Sequence, residues 1–281
     1  MTRAAARALL LATAFLVDQA VMAPAAAQGK LDARYSASLG GIPIGRGAWV
    51  IDISENQYTA AASGMTTGLV RLFASGQGTS ASRGLVRSGT LYPSTYASNL
   101  VSDQKREDLR VVLQNGAVKD VSITPPILFH PDRIAVPDAH RRGVVDPMTA
   151  ALIRVNGTGD PLSSHACNRT IPIFDGRMRY DLKLGFKRFE MVRASRGYDG
   201  PVAVCSVQFM PLSGYVPQRP SMIYLREVRD AEIWLAPIAG TRVLVPFKFI
   251  LPTPYGVGVL EASQFVSVPS VRAAPTSVRT Q

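Results

Sequence analysis

His130, His140 and His165 are the chain's three imidazoles, and the first two share a proline-rich stretch with Asp132, Asp138 and Asp146. Histidine beside carboxylate on a long loop is raw material for acid–base catalysis or metal binding. The spacing matches no metal signature, and no histidine lies at i, i+4 from another on a helical face. The cluster therefore reads as loop polarity. Ser102-Asp103-Gln104-Lys105 has the Ser-x-x-Lys spacing of serine acylases. That chemistry needs its serine at a helix start, and this one precedes a strand. No Gly-x-Ser-x-Gly occurs. The residues nominate no catalytic group, no metal site and no cofactor.

Binding residues are easier to nominate. Trp49, Tyr58, Phe174, Tyr180, Phe186, Phe189, Phe209, Trp234, Phe247 and Phe249 fall on strand-like positions, where most aromatics are core. A curled sheet of this length can also hold an apolar cavity. Trp49, Tyr180 and Trp234 are its candidate lining, with Arg177 and Arg179 as candidate anion contacts. The alternative for the arginines, which continue into Lys183, Lys187 and Arg188, is a solvated sheet face.

Positioning such residues needs strands, and period-two alternation dominates the chain. Asp175-Gly176 predicts a two-residue hairpin turn that pairs Phe174 with Arg177, Ile173 with Met178 and Ile171 with Tyr180. One face is then apolar, with Arg169 as its blemish, and Pro172 argues for an edge or bulge. A second hairpin spans Asp108 to Ile123, and a three-residue loop Gln114-Asn115-Gly116 gives it the better match of faces. Further strands are expected at Ile42–Ser54, Gln57–Met65, Thr79–Arg87, Thr90–Val101, Phe186–Ala194, Pro201–Met210, Ala231–Ala236, Thr241–Ile250 and Val257–Val266. One short helix is expected near 146–155, with Asp146 as N-cap and Pro147 in the first turn. The fold class is mainly β: a single antiparallel meander curled into a barrel or half-barrel.

Residues 1–27 read as a signal peptide: Arg3 and Arg7, an apolar run from Ala8 to Val17, then Ala25-Ala26-Ala27 before a cut after Ala27. The run is too short to span a bilayer as a helix, and no later segment is a transmembrane candidate. The expected organisation is the signal peptide, one β-rich domain at 28–272 and a flexible tail at 273–281, in a periplasmic or secreted protein. Arg3, Arg7 and Asp18 leave with the signal peptide, which takes the net charge from +11 to +10. That balance suits anionic envelope surfaces; no phosphate loop or dense Lys/Arg run points to nucleic acid. Outside the cytosol the only two cysteines, Cys167 and Cys205, are expected to form one disulfide.

Several phrases together resemble the domain-of-unknown-function 3108 family of exported bacterial proteins. They are Tyr35 with Leu39-Gly40-Gly41-Ile42-Pro43-Ile44-Gly45, then Arg142-Gly143-Val144-Val145-Asp146-Pro147. After Cys167 comes Ile173-Phe174-Asp175-Gly176-Arg177-Met178-Arg179-Tyr180-Asp181-Leu182. Cys205, Gly214-Tyr215, and Ile233-Trp234-Leu235 leading to Val245-Pro246 complete the set. The resemblance implies a secreted or periplasmic curved antiparallel sheet and carries over no catalytic residue. The closing strand pattern is similar to that of lipoprotein-carrier proteins, which hold acyl chains in an unclosed barrel. The leading expectation is thus non-enzymatic binding of an apolar or amphipathic envelope molecule such as a lipid. The alternatives are a structural or adaptor role with an envelope protein partner and, with less support, a hydrolase of envelope polymers using His130, Asp132 or His140.

Overall fold

The computed structural model describes residues 28–67, 75–103 and 105–270; the expected signal peptide and tail lie outside them. Alternation builds the strands. In β1 (Gly29–Leu39), Leu31, Ala33 and Tyr35 are buried, while Lys30, Asp32 and Arg34 stay exposed. A meander follows: β2 (Ile42–Ile53), β3 (Gln57–Thr66), β4 (Gly76–Arg87), β5 (Thr90–Ser102), β6 (Arg106–Gln114) and β7 (Ala117–Thr124). An irregular connection then leads to α1 (Pro147–Ala150) and β8 (Ile153–Arg154). The second half holds β9 (Arg169–Phe174), β10 (Arg179–Arg193), β11 (Arg196–Gly197) and β12 (Asp199–Ser213). It ends with α2 (Pro220–Glu227), β13 (Glu232–Pro237), β14 (Val243–Thr253) and β15 (Gly256–Pro269).

The fifteen strands of the described residues form one sheet, ordered β7-β6-β5-β4-β3-β2-β1-β15-β14-β13-β12-β10-β9, with β8 on β14 and β11 on β15. The antiparallel pairing of β1 with β15 joins the two halves. The sheet is not closed. Its edges β7 and β9 are linked through the connection, where Arg142 bridges to Ala117 and Val145 to Ile173. Val144 N donates to the Gly116 carbonyl and Val145 N to that of Pro172, each near 3 Å. The connection thus takes up edge groups that would otherwise invite another chain. Phe174 from one edge packs with Leu109, Val111, Leu113 and Val144 from the other side of this seam.

Both predicted hairpins form, each in a different register. The Asp175 carboxylate accepts hydrogen bonds from Arg177 N at 2.8 Å and Met178 N at 2.7 Å. This Asx turn widens the loop to residues 175–178, so Phe174 pairs with Arg179 and Ile171 with Leu182. The shift is two residues, so the apolar face survives. In the other hairpin Asn115 and Gly116 both have positive φ, 50° and 72°, which is the two-residue turn. A bulge between Val112 and Leu113 then restores Val111 opposite Val121 and Leu109 opposite Ile123.

The helix expected over 146–155 is only the four-residue α1, because the chain turns into β8 to pair with β14. Asp146 is its N-cap, accepting from Met148 N and Thr149 N at 3.0 Å each. The eight-residue α2, not anticipated from sequence, buries none of its residues. The main core lies between β1–β3 and β12–β15 and holds Trp49, Ile51, Tyr58, Phe247 and Phe265.

Candidate functional site

Beside the disulfide region the second half of the sheet keeps a second apolar cluster that is incompletely filled. β9 and β10 contribute Ile171, Ile173, Tyr180, Leu182 and Leu184, which share one face by strand alternation. β12 adds Val207 and Phe209, and β14 adds Phe249 and Leu251. Ile153, Ala150 of α1 and Ala151 just after it close one side; Leu225 of α2 and Val228 cover another. Together they bound a cavity of about 250 Å³. Most of these side chains are half-buried rather than buried, as expected of a cleft wall. Cys167 and Cys205 sit at disulfide distance, S–S 2.08 Å. Both are fully buried, and they tie the start of β9 to β12 across β10 at the end of this cluster.

Of the nominated ligand contacts, the cavity gathers only Tyr180. Its ring lies 5.2 Å from that of Phe209, and burial, with Asp175, Tyr96 and Asp146 near enough to add to it, raises its phenol above the ordinary pKa. Trp49 belongs to the main core, and its indole Nε1 is buried without a partner among the described residues. Trp234 points away from the cavity that its neighbour Ile233 lines. Its Nε1 donates to Glu232 at 3.0 Å, with Lys248 and Arg188 over the ring at 4.9 and 5.5 Å. Glu232 is held down at about 2 by hydrogen bonds from Arg188, with Lys187 and Trp234 adding to them. Arg177 crosses the seam to pair with Glu107. Arg179 turns back on Tyr180 O and Asp181, each at 2.6 Å.

Sequence reasoning missed Leu225 and Val228 as site residues, because α2 has no apolar periodicity to announce it. It had placed Phe209 and Phe249 on strands without a role. Arg169, the blemish on the hairpin's apolar face, donates to the carbonyls of Arg154 at 2.8 Å and His165 at 3.3 Å. Arg242 spends three donors on Val155, Gly159 and Asn156 carbonyls. These cations therefore tie the segment 154–165 in place around a recess of about 830 Å³. A more open recess of about 490 Å³ runs over the short side chains of β2–β7, among them Ala62, Ser80, Ala81 and Ala97.

Two of the three histidines have hydrogen-bond partners at the base of the connection. His130 Nδ1 accepts from Asp132 N at 3.3 Å, and His140 Nδ1 lies 2.9 Å from Ser213 Oγ. Among the described residues no histidine forms an ion pair with a carboxylate. Among the described residues no group of three His, Cys, Asp or Glu is placed to hold a metal. Ser102 Oγ donates to the Lys105 carbonyl, while the Lys105 amine pairs with Glu107. Asp146, the most deeply buried acid among the described residues, accepts from Ser82 Oγ at 2.9 Å and Thr149 Oγ1 at 2.6 Å besides its two backbone bonds. Tyr58 completes the cluster at 2.6 Å from Thr149 Oγ1.

Among the described residues no helix is long and apolar enough to cross a membrane. No curated protein is a significant match for the chain. Among solved structures, a beta-barrel-like protein of domain of unknown function DUF1849 from Brucella abortus is similar at 8% identity. Its TM-score is 0.48, with 87% of this chain and 99% of that one covered. Residues 34–263 match a family described as protein of unknown function (DUF3108), and this chain, whose β1 to β15 they span almost completely, belongs to it.

Proposed function

We propose that the protein is a non-enzymatic binder of an apolar or amphipathic molecule of the cell envelope, exported by its N-terminal 27 residues. The observation that carries this reading is the unfilled apolar cavity under α2. A concave apolar cleft walled by leucine, isoleucine and phenylalanine is the kind of surface that takes up an apolar ligand. Its 250 Å³ lies just below the ~300–1,000 Å³ usual for small-molecule sites. That suits a short acyl segment. α2 buries no residue, so it can shift at small cost to admit more.

The test is native mass spectrometry of protein purified from its own cell envelope, with extraction of bound lipid, followed by titration with a fluorescent fatty acid. A stoichiometric amphiphile, and a probe signal abolished by Val207→Trp with the circular dichroism spectrum unchanged, is the expected result. A clean apoprotein mass together with no probe signal overturns the reading.

A further inference from the structure

The connection from β7 to α1 projects Ile127-Leu128-Phe129 into solvent. Leu128 is 85% and Phe129 92% exposed. The placement is not the slack of a loose loop, because the base of the projection is anchored. Arg133 Nη1 donates to the Gly214 carbonyl at 2.7 Å, Ile134 N to that of Tyr215 at 3.0 Å, and Gly214 N to that of Ile134 at 2.8 Å. Prolines at 125, 126 and 131 stiffen both arms. The anchoring loop, Ser213–Tyr215, is the one from which the chain proceeds to α2, the cover of the cavity. Two adjacent large apolar side chains held in water by a braced loop are a contact waiting for a partner.

We infer that this finger inserts into an anionic lipid surface and so brings the α2 side of the molecule to the bilayer. Three features favour lipid over protein. The apolar residues are consecutive on a convex tip and form no groove. Even fully buried, a leucine and a phenylalanine supply only a fraction of the ~800 Å² per partner of a stable protein interface, whereas a bilayer needs no complementary pocket. The charge also fits. The same connection carries Arg133, Arg141 and Arg142 against the exposed Asp132 and Asp138, its third acid Asp146 being buried, on a chain whose net charge is +10 without residues 1–27. The finger lies outside the cavity, so the two functions can fail separately.

The experiment is flotation of the purified protein with phosphatidylglycerol–phosphatidylethanolamine vesicles, against phosphatidylcholine vesicles, for wild type and Leu128→Ser/Phe129→Ser. The wild type is expected to float with the anionic vesicles, less so at high salt. The double variant is expected to lose partitioning by about tenfold per side chain. Its urea midpoint should stay unchanged, because neither residue is buried, and so should its fatty-acid binding. Absence of flotation, or equal flotation of the double variant, overturns the inference. So does a wild-type dimer that the double variant dissolves without any vesicle binding, because the tip then serves a second copy of the chain.

Discussion

At the scale of single residues, Asp146 is the position where sequence and structure meet most closely. An aspartate before a proline announces a helix start, and the structure makes it the hub that holds α1 to Ser82 of β4 and, through Thr149, to Tyr58 of β3. Asp146→Ala removes the cap and orphans two hydroxyls and two backbone donors, and should cost about 2–4 kcal/mol by urea unfolding. Asp146→Asn keeps an acceptor for the backbone and donors for the hydroxyls, and should unfold near the wild type. The two also separate by pH. Burial raises the Asp146 carboxyl above its ordinary 3.8, so the folded state favours the protonated form. Wild-type stability from this group is therefore full below that value and lost as pH rises through the raised one. Asp146→Asn should lack this fall, which urea midpoints measured from pH 3 upward will show. Of the five nominated ligand contacts only Tyr180 faces the cavity, because residue type signals apolar lining while strand register decides direction.

At the scale of elements, alternation located most strands, though not β1, which joins the halves of the sheet, and it located their pairing less well. A two-residue slip leaves every side chain on the same face, so hydrophobic pattern cannot detect it. In the β9–β10 hairpin the Asp175 side chain decided the slip, and in the β6–β7 hairpin a bulge did. α2 was invisible because none of its eight residues is fully buried and its apolar residues form no periodic stripe. The cysteines were legible from compartment logic alone. Their separation of 38 residues implies about 4 kcal/mol from chain entropy. Cys167→Ala/Cys205→Ala should lower unfolding free energy by that order. Because the pair braces β9 against β12, it should also weaken fatty-acid binding more than a surface substitution such as Lys119→Ala.

At the scale of the whole molecule, the decisive feature is a sheet that curls until its edges meet without pairing. The Phe174 cluster and the Glu107–Arg177 pair hold that seam. Gly176 lies against it: its φ is 96°, and a Cβ there would come within 2.7 Å of Leu109. Gly176→Ala should cost about 1–3 kcal/mol, from strain and from pushing the edges apart. Hydrogen exchange should rise first at β6, β7 and β9; a uniform rise across the sheet would argue against a discrete seam.

The sequence by itself determined the β class, the cysteine pair, the Asp146 cap and the family resemblance, because each is written in local spacing or in residue type. Tertiary structure alone decided the rest. The cavity unites Ile153, Ile173, Val207 and Phe249, which lie on four separate elements, and emptiness between side chains has no signature along a chain. The exposure of Leu128 and Phe129 is likewise a statement about what fails to pack against them. Burial depends on neighbours brought together by strand order, and local pattern holds no record of those neighbours.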